Sequence, residues 1–197
     1  RDGMSQNVSC KKQMKIYELI APCHFGMEAV LKREIYDLGY EITQVEDGRV
    51  TFEGDISAVC RANVFLRTAE RVLLQVGRVK ATTYDELFEA VKAMDWEEYI
   101  PEDGKFWVKK ASSIKSKLFS PSDIQRIVKK AMVEKLKLKY RVNRFAETGN
   151  EYPLRVVFYK DEAIIALDTS GDSLHKRGYR KNTAKAPISE TLAAALI

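Results

Sequence analysis

The chain has 197 residues, of which 45% are hydrophobic and 31% charged, with a formal net charge of +5. That length admits one large domain or two small ones, and the composition excludes disordered and fibrous classes. Apolar runs such as 163–167 are far too short to span a bilayer, and the polar stretch 1–13 is no signal peptide.

Patterning begins at Met14, so residues 1–13 are read as a tail or tag remnant. Residues 15–21 (KIYELIA) predict a strand that Pro22 ends. Apolar residues at 25, 27, 29, 30, 31, 35 and 38 then predict a helix terminated by Gly39. Segments 40–45 and 49–52 flank Glu46-Asp47-Gly48, a hairpin signal. Asp55 or Ser57 caps a second helix through 64–66, and 71–79 alternates as a strand. The order β-α-β-β-α-β is the split pattern of a ferredoxin-like fold.

A second series follows. Thr83 caps a helix over 84–94, and 105–111 (KFWVKKA) predicts a strand. Ser120-Pro121-Ser122-Asp123 starts a helix that runs to about Lys135. Strands near 154–159 and 163–168 close the series around Lys160-Asp161-Glu162. This α-β-α-β-β unit leans on the preceding sheet, with no clean linker between the halves. The fold class is α+β. Ser189 finally caps an apolar helix over 191–197, whose burial requires a partner surface beyond this chain.

Charge is unevenly placed. Between Lys105 and Arg144 there are thirteen Lys or Arg against Asp123 and Glu134 alone, and 171–185 holds five against Asp172. The rest of the chain is acidic overall, so the molecule is polarised and expects a polyanion such as nucleic acid. On the helix after Pro121, Arg126, Lys129, Lys130 and Lys137 cluster opposite the apolar Ile124, Ile127, Val128, Ala131 and Leu138. A basic stripe can merely keep a face soluble, but mixed charges serve that purpose better, which favours a ligand. Phe119 and Tyr179 sit in loops among cations, where stacking on bases is open to them.

Catalytic chemistry is not expected. The ten glycines include no G-x-G pair, and Cys10, Cys23 and Cys60 have no C-x-x-C spacing. They read as free thiols of a reducing cytoplasm, and neither a metal site nor a Cys23–His24 dyad is expected.

Two stretches carry a resemblance. Ser116-Lys117-Leu118-Phe119-Ser120 leading to 124–131 (IQRIVKKA) resembles the central loop and helix of THUMP domains. Residues 167–180 (LDTSGDSLHKRGYR), with Ala186-Pro187-Ile188 and 190–195 (ETLAAA), are similar to the junction of bacterial 23S rRNA guanine-N2-methyltransferases. In that family the junction joins a THUMP domain to a Rossmann-like methyltransferase domain.

The resemblance implies a ferredoxin-like domain over 14–80, a THUMP domain over 81–169 (or beginning near 57), and a linker with a first catalytic-domain helix over 170–197. It implies an RNA-binding module, with a 23S rRNA stem-loop as partner and S-adenosylmethionine as the cofactor of the longer enzyme. The family's D-P-x-C-G-S-G-T-like cofactor loop and N-P-P-[YF] motif are not among these residues, so the chain itself is expected to bind without catalysing. Candidate RNA contacts are Lys109, Lys110, Lys115, Lys117, Phe119, Arg126, Lys129 and Lys130, joined by Arg177, Tyr179 and Arg180. For the last three, pairing with carboxylates at the domain junction is the equal alternative. Other readings are a THUMP module of a 4-thiouridine synthetase type, or a non-enzymatic adaptor.

Overall fold

The computed structural model describes residues 14–171, 173–176 and 189–196. The first half follows the expected order: β1 (Tyr17–Pro22), α1 (Glu28–Asp37), β2 (Glu41–Glu46), β3 (Arg49–Gly54), α2 (Ile56–Phe65) and β4 (Leu73–Lys80). The second half adds α3 (Tyr84–Lys92), β5 (Lys105–Ile114), α4 (Pro121–Tyr140), β6 (Glu151–Tyr159) and β7 (Glu162–Asp168), with α5 (Glu190–Ala195) last.

Local chemistry sets these boundaries. Gly48 takes φ +79° in the β2–β3 turn, as the tight hairpin requires. The Asp55 carboxylate accepts the Ala58 N–H at 3.1 Å and opens α2. Thr83 Oγ1 accepts from Glu86 N–H at 3.2 Å, while the Glu86 carboxylate accepts from Thr82 N–H at 2.8 Å. That is a capping box whose return bond falls one residue early.

Two expectations need correction. Phe25 does not start α1; it lies exposed in the turn before it, beside Gly26 at φ +88°. Helix α4 continues past Lys135 to Tyr140, because Leu136 is buried and Tyr140 Oη donates to Ile100 O at 2.6 Å. Lys137 and Lys139 favour the C-terminal end of its dipole, and Arg141, at φ 56°, caps it without a glycine.

The two halves do not merely lean together. Their strands form one seven-stranded sheet, in the order β2-β3-β1-β4-β7-β6-β5. The seam is antiparallel β4–β7, from Leu73↔Asp168 to Lys80↔Glu162. Strands β5 and β6 run parallel, the crossover being α4.

Strand alternation sorts side chains to two faces. Leu19, Ala21, Leu74, Ala163, Ile165 and Leu167 join the helices' Leu31, Ile35, Leu87, Val91, Ile124 and Val128 in one core spanning both halves. On the opposite face, Ile20, Leu73, Ile164 and Ala166 form a separate small apolar cluster with no helix residue among its described members. No helix among the described residues is long and apolar enough to cross a membrane.

Candidate nucleic-acid interface

The candidate residues fall on three different surfaces. Lys115, Lys117 and Phe119 lie in the loop joining β5 to α4, at one end of the sheet. This loop is fixed rather than loose. Lys117 N–H donates to Asp161 Oδ1 at 2.7 Å, and Ser116 Oγ accepts from Asp161 N–H at 3.0 Å. Asp161 itself sits with Lys160 in the β6–β7 turn, both at left-handed φ (64° and 49°), as two-residue hairpin turns of the primed type require. The same end exposes Tyr159 and Ile114, with the Lys160 ammonium 5.2 Å from the Tyr159 ring. Phe119 is 80% exposed although Leu118 beside it is buried. A buried anchor, an exposed ring and Lys115, Lys117 and Lys160 make a pre-ordered rim suited to phosphates and unpaired bases.

Lys109 and Lys110 lie on the face of Ile20, Leu73, Ile164 and Ala166. A register shift between Val108 and Lys110 places a bulge at Lys109, which brings both neighbours toward one side. Lys109 Nζ lies 3.8 Å from Asp168 Oδ2 and donates to Gly171 O at 3.3 Å. Lys110 has no partner among the described residues. It lines a cavity of about 250 Å³ with Arg155, Ser112 and Arg49, over Ile20, Leu73, Ile164 and Ala166. Arg49, near the tip of the β2–β3 hairpin, and Lys110, on the far edge strand, share this cavity. The sheet is therefore curled, and this face is concave. A second cavity of about 470 Å³, lined by Glu46, Arg49, Ile114, Val157 and Tyr159, carries the groove toward the rim.

The stripe on α4 lies on the helix layer, away from that groove, and Leu138, expected on the apolar side of the helix, is instead 71% exposed in its last turn. Arg126 pairs with Asp123 at 3.2 Å, and Lys130 lies 5.8 Å from the Phe88 ring centroid. Lys129 is different. It is half-buried, donates to the Phe106 carbonyl, and stands 3.7 Å from the Phe106 ring centroid. Burial pushes its pKa down, partly offset by the charge of Glu147. Lys129 thus holds α4 to β5. Lys92–Glu134 (3.4 Å) and Lys139–Glu97 (3.5 Å) neutralise further charge on this layer. Arg177, Tyr179 and Arg180 lie outside the described residues.

Sequence reasoning missed a cluster at the end of β7. The Asp168 carboxylate is fully buried and takes Arg71 Nη1 at 2.9 Å and Arg155 Nε at 3.1 Å on Oδ2, with Ser170 N–H at 3.1 Å on Oδ1. Arg71 also donates to Gly171 O (2.6 Å) and Ser173 Oγ (2.9 Å), which straps Gly171 and Ser173 to the start of β4. Single cations in apolar strands carried no signal of this meeting.

His24 Nε2 lies 3.2 Å from Glu70. Burial, with Glu28 and Glu70 nearby, raises the Cys23 thiol to about 11, so it stays protonated at neutral pH.

The sequence profile of the RlmL ferredoxin-like domain matches residues 18–73, and that of the THUMP domain matches residues 81–168. The chain thus carries an RlmL ferredoxin-like domain followed by a THUMP domain. Its THUMP domain and the preceding sheet recur in known relatives. "Putative RNA methyltransferase YpsC" of Bacillus subtilis is 55% identical over 186 residues, covering 93% of this chain and 48% of that protein. The crystal structure of a possible methylase from Clostridium difficile 630 is 52% identical with a TM-score of 0.90, covering 92% of this chain and 48% of that one. The structure of SMU.472, "a putative methyltransferase complexed with SAH", is 43% identical with a TM-score of 0.86 over the same shares. The chain therefore spans about half the length of the relatives it matches.

Proposed function

We propose that this chain is the RNA-binding part of an S-adenosylmethionine-dependent methyltransferase that modifies the exocyclic N2 of a guanine in 23S rRNA. The observation that carries the RNA reading is the rim of Lys115, Lys117, Phe119 and Lys160, held rigidly at the sheet end of a THUMP domain. Lysines there neutralise phosphates and release counterions, while Phe119 and Tyr159 offer faces to unpaired bases of a stem-loop. Lys110 extends this surface into the groove, and Arg126 and Lys130 flank it on the helix layer. Lys109 and Lys129 act first as struts, and Arg177, Tyr179 and Arg180 keep both roles assigned by resemblance. The methyltransferase reading draws on the named activities of the relatives.

In this reading residues 14–80 are the ferredoxin-like domain, 81–169 the THUMP domain and 170–197 the lead into a catalytic domain. An rRNA substrate places the work in the cytoplasm. The cofactor supplies the methyl group, and with no G-x-G pair in this chain, residues outside it would hold that cofactor. Tethering raises the effective concentration of the target guanine at the catalytic domain.

The test is methylation of 23S rRNA by the protein extended beyond residue 197, with nucleoside mass spectrometry as readout. N2-methylguanosine is expected from the extended protein and none from the 197-residue chain. Methylation of adenine alone, or of no RNA, would overturn the substrate assignment.

A further inference from the structure

We infer that the concave face of the sheet holds one unpaired nucleotide of the bound RNA. Its phosphate would sit on Arg155 and Lys110, and its base on the floor of Ile20, Leu73, Ile164 and Ala166. The inference rests on the RNA-binding reading above and adds to it a site and a class of ligand.

Lys110 and Arg155 are register partners on β5 and β6. Like charges directly opposite one another cost stability, so this pair needs an explanation. Asp168 does not neutralise it. That buried carboxylate already takes Arg71, Arg155 and the Ser170 N–H, with Lys109 at 3.8 Å, so cations outnumber it. It grips Arg155 through Nε, and neither Nη nitrogen of Arg155 has a partner among the described residues. A guanidinium held from behind, beside an unpaired ammonium, is a preorganised anion site. Across the cavity Arg49 is paired with Glu46, and Asp47 is the one acid on the described lining.

The floor supplies the second half of the argument. Ile20, Leu73, Ile164 and Ala166 are buried, yet among the described residues no helix residue joins their cluster. The cavity above them holds about 250 Å³, confined between the hairpin tip and β5–β6. That space suits one planar base and not a duplex, whose bases are already paired and stacked. An apolar platform edged by cations is the chemistry of single-strand recognition. The adjoining cavity leads to Tyr159, so the strand can run on to the rim lysines.

The test measures binding of the 197-residue chain to a labelled single-stranded RNA of about twelve nucleotides and to a blunt-ended RNA duplex. Lys110→Ala removes a side chain with no partner among the described residues, and Ser112→Asp places a competing carboxylate beside Arg155. Each should weaken single-strand binding about tenfold, the worth of one charge-assisted contact, and weaken duplex binding much less. Should Ser112→Asp disturb the fold, Lys110→Ala carries the test alone. Unchanged single-strand affinity in Lys110→Ala, with Lys115→Glu/Lys117→Glu abolishing it, would remove the nucleotide from the groove while leaving the RNA-binding reading intact. Wild-type chain that binds neither RNA would overturn that reading itself, and the groove site with it.

Discussion

Asp168→Ala should lower the thermal midpoint of the chain by on the order of 10 °C. Removing one partner of a buried ion pair costs about 3–5 kcal/mol, and at this size each kcal/mol moves the midpoint by roughly 2–4 °C. The cost arises because Arg71 and Arg155, both mostly buried, would lose the carboxylate that offsets their desolvation. Ser170 and Gly171 would lose their fastening at the same time, since Arg71 bridges Asp168 and Gly171 O. Asp168→Asn keeps an acceptor but no charge and should fall between wild type and alanine. Melting followed by circular dichroism checks both variants. A shift below about 2 °C for the alanine variant would mean that water compensates the arginines and that the cluster is not a structural hub.

Lys115→Glu/Lys117→Glu/Lys160→Glu should weaken RNA binding by a factor on the order of 10² to 10³ at low salt, with the melting midpoint nearly unchanged. All three side chains are exposed and none forms an ion pair among the described residues, so reversal removes phosphate binding without removing a strut. The salt dependence should flatten too, by about 0.7 for each phosphate of a single strand that is no longer neutralised. Arg126→Glu/Lys130→Glu, on the helix layer, should cost much less. Equal losses of affinity from the two sets would mean that the RNA wraps both layers and that the rim has no priority.

The alternation of β-α-β-β-α-β, the Asp47-Gly48 turn and the Ser120-Pro121 helix start were legible because each is written in neighbouring residues. The seam was not. Gln75 and Ala166 pair across β4 and β7, and no local pattern announces a pairing so distant in sequence. Helix α4 outran its expected end because the packing of Leu136 and Tyr140 decides its length, with no glycine or proline to mark the stop.

The candidate site divides in the same way. Lys115, Lys117 and Phe119 stand out by local charge density, and the structure sets them together on a fixed loop. The α4 stripe looked nearly free of acids because periodicity sees only one helix. Glu97 and the Phe106 carbonyl come from elsewhere to meet Lys139 and Lys129. Arg71 and Arg155 were invisible for the converse reason, since each is a lone cation whose partner, Asp168, lies on another strand.

The measurement that bears most directly on the central claim is the affinity of the 197-residue chain for 23S rRNA stem-loops across a salt series. A surface that neutralises several phosphates predicts log K falling with log salt at a slope on the order of −3 to −4, through counterion release. Weak binding with no dependence on salt would contradict it, and would make the rim lysines a solvated face.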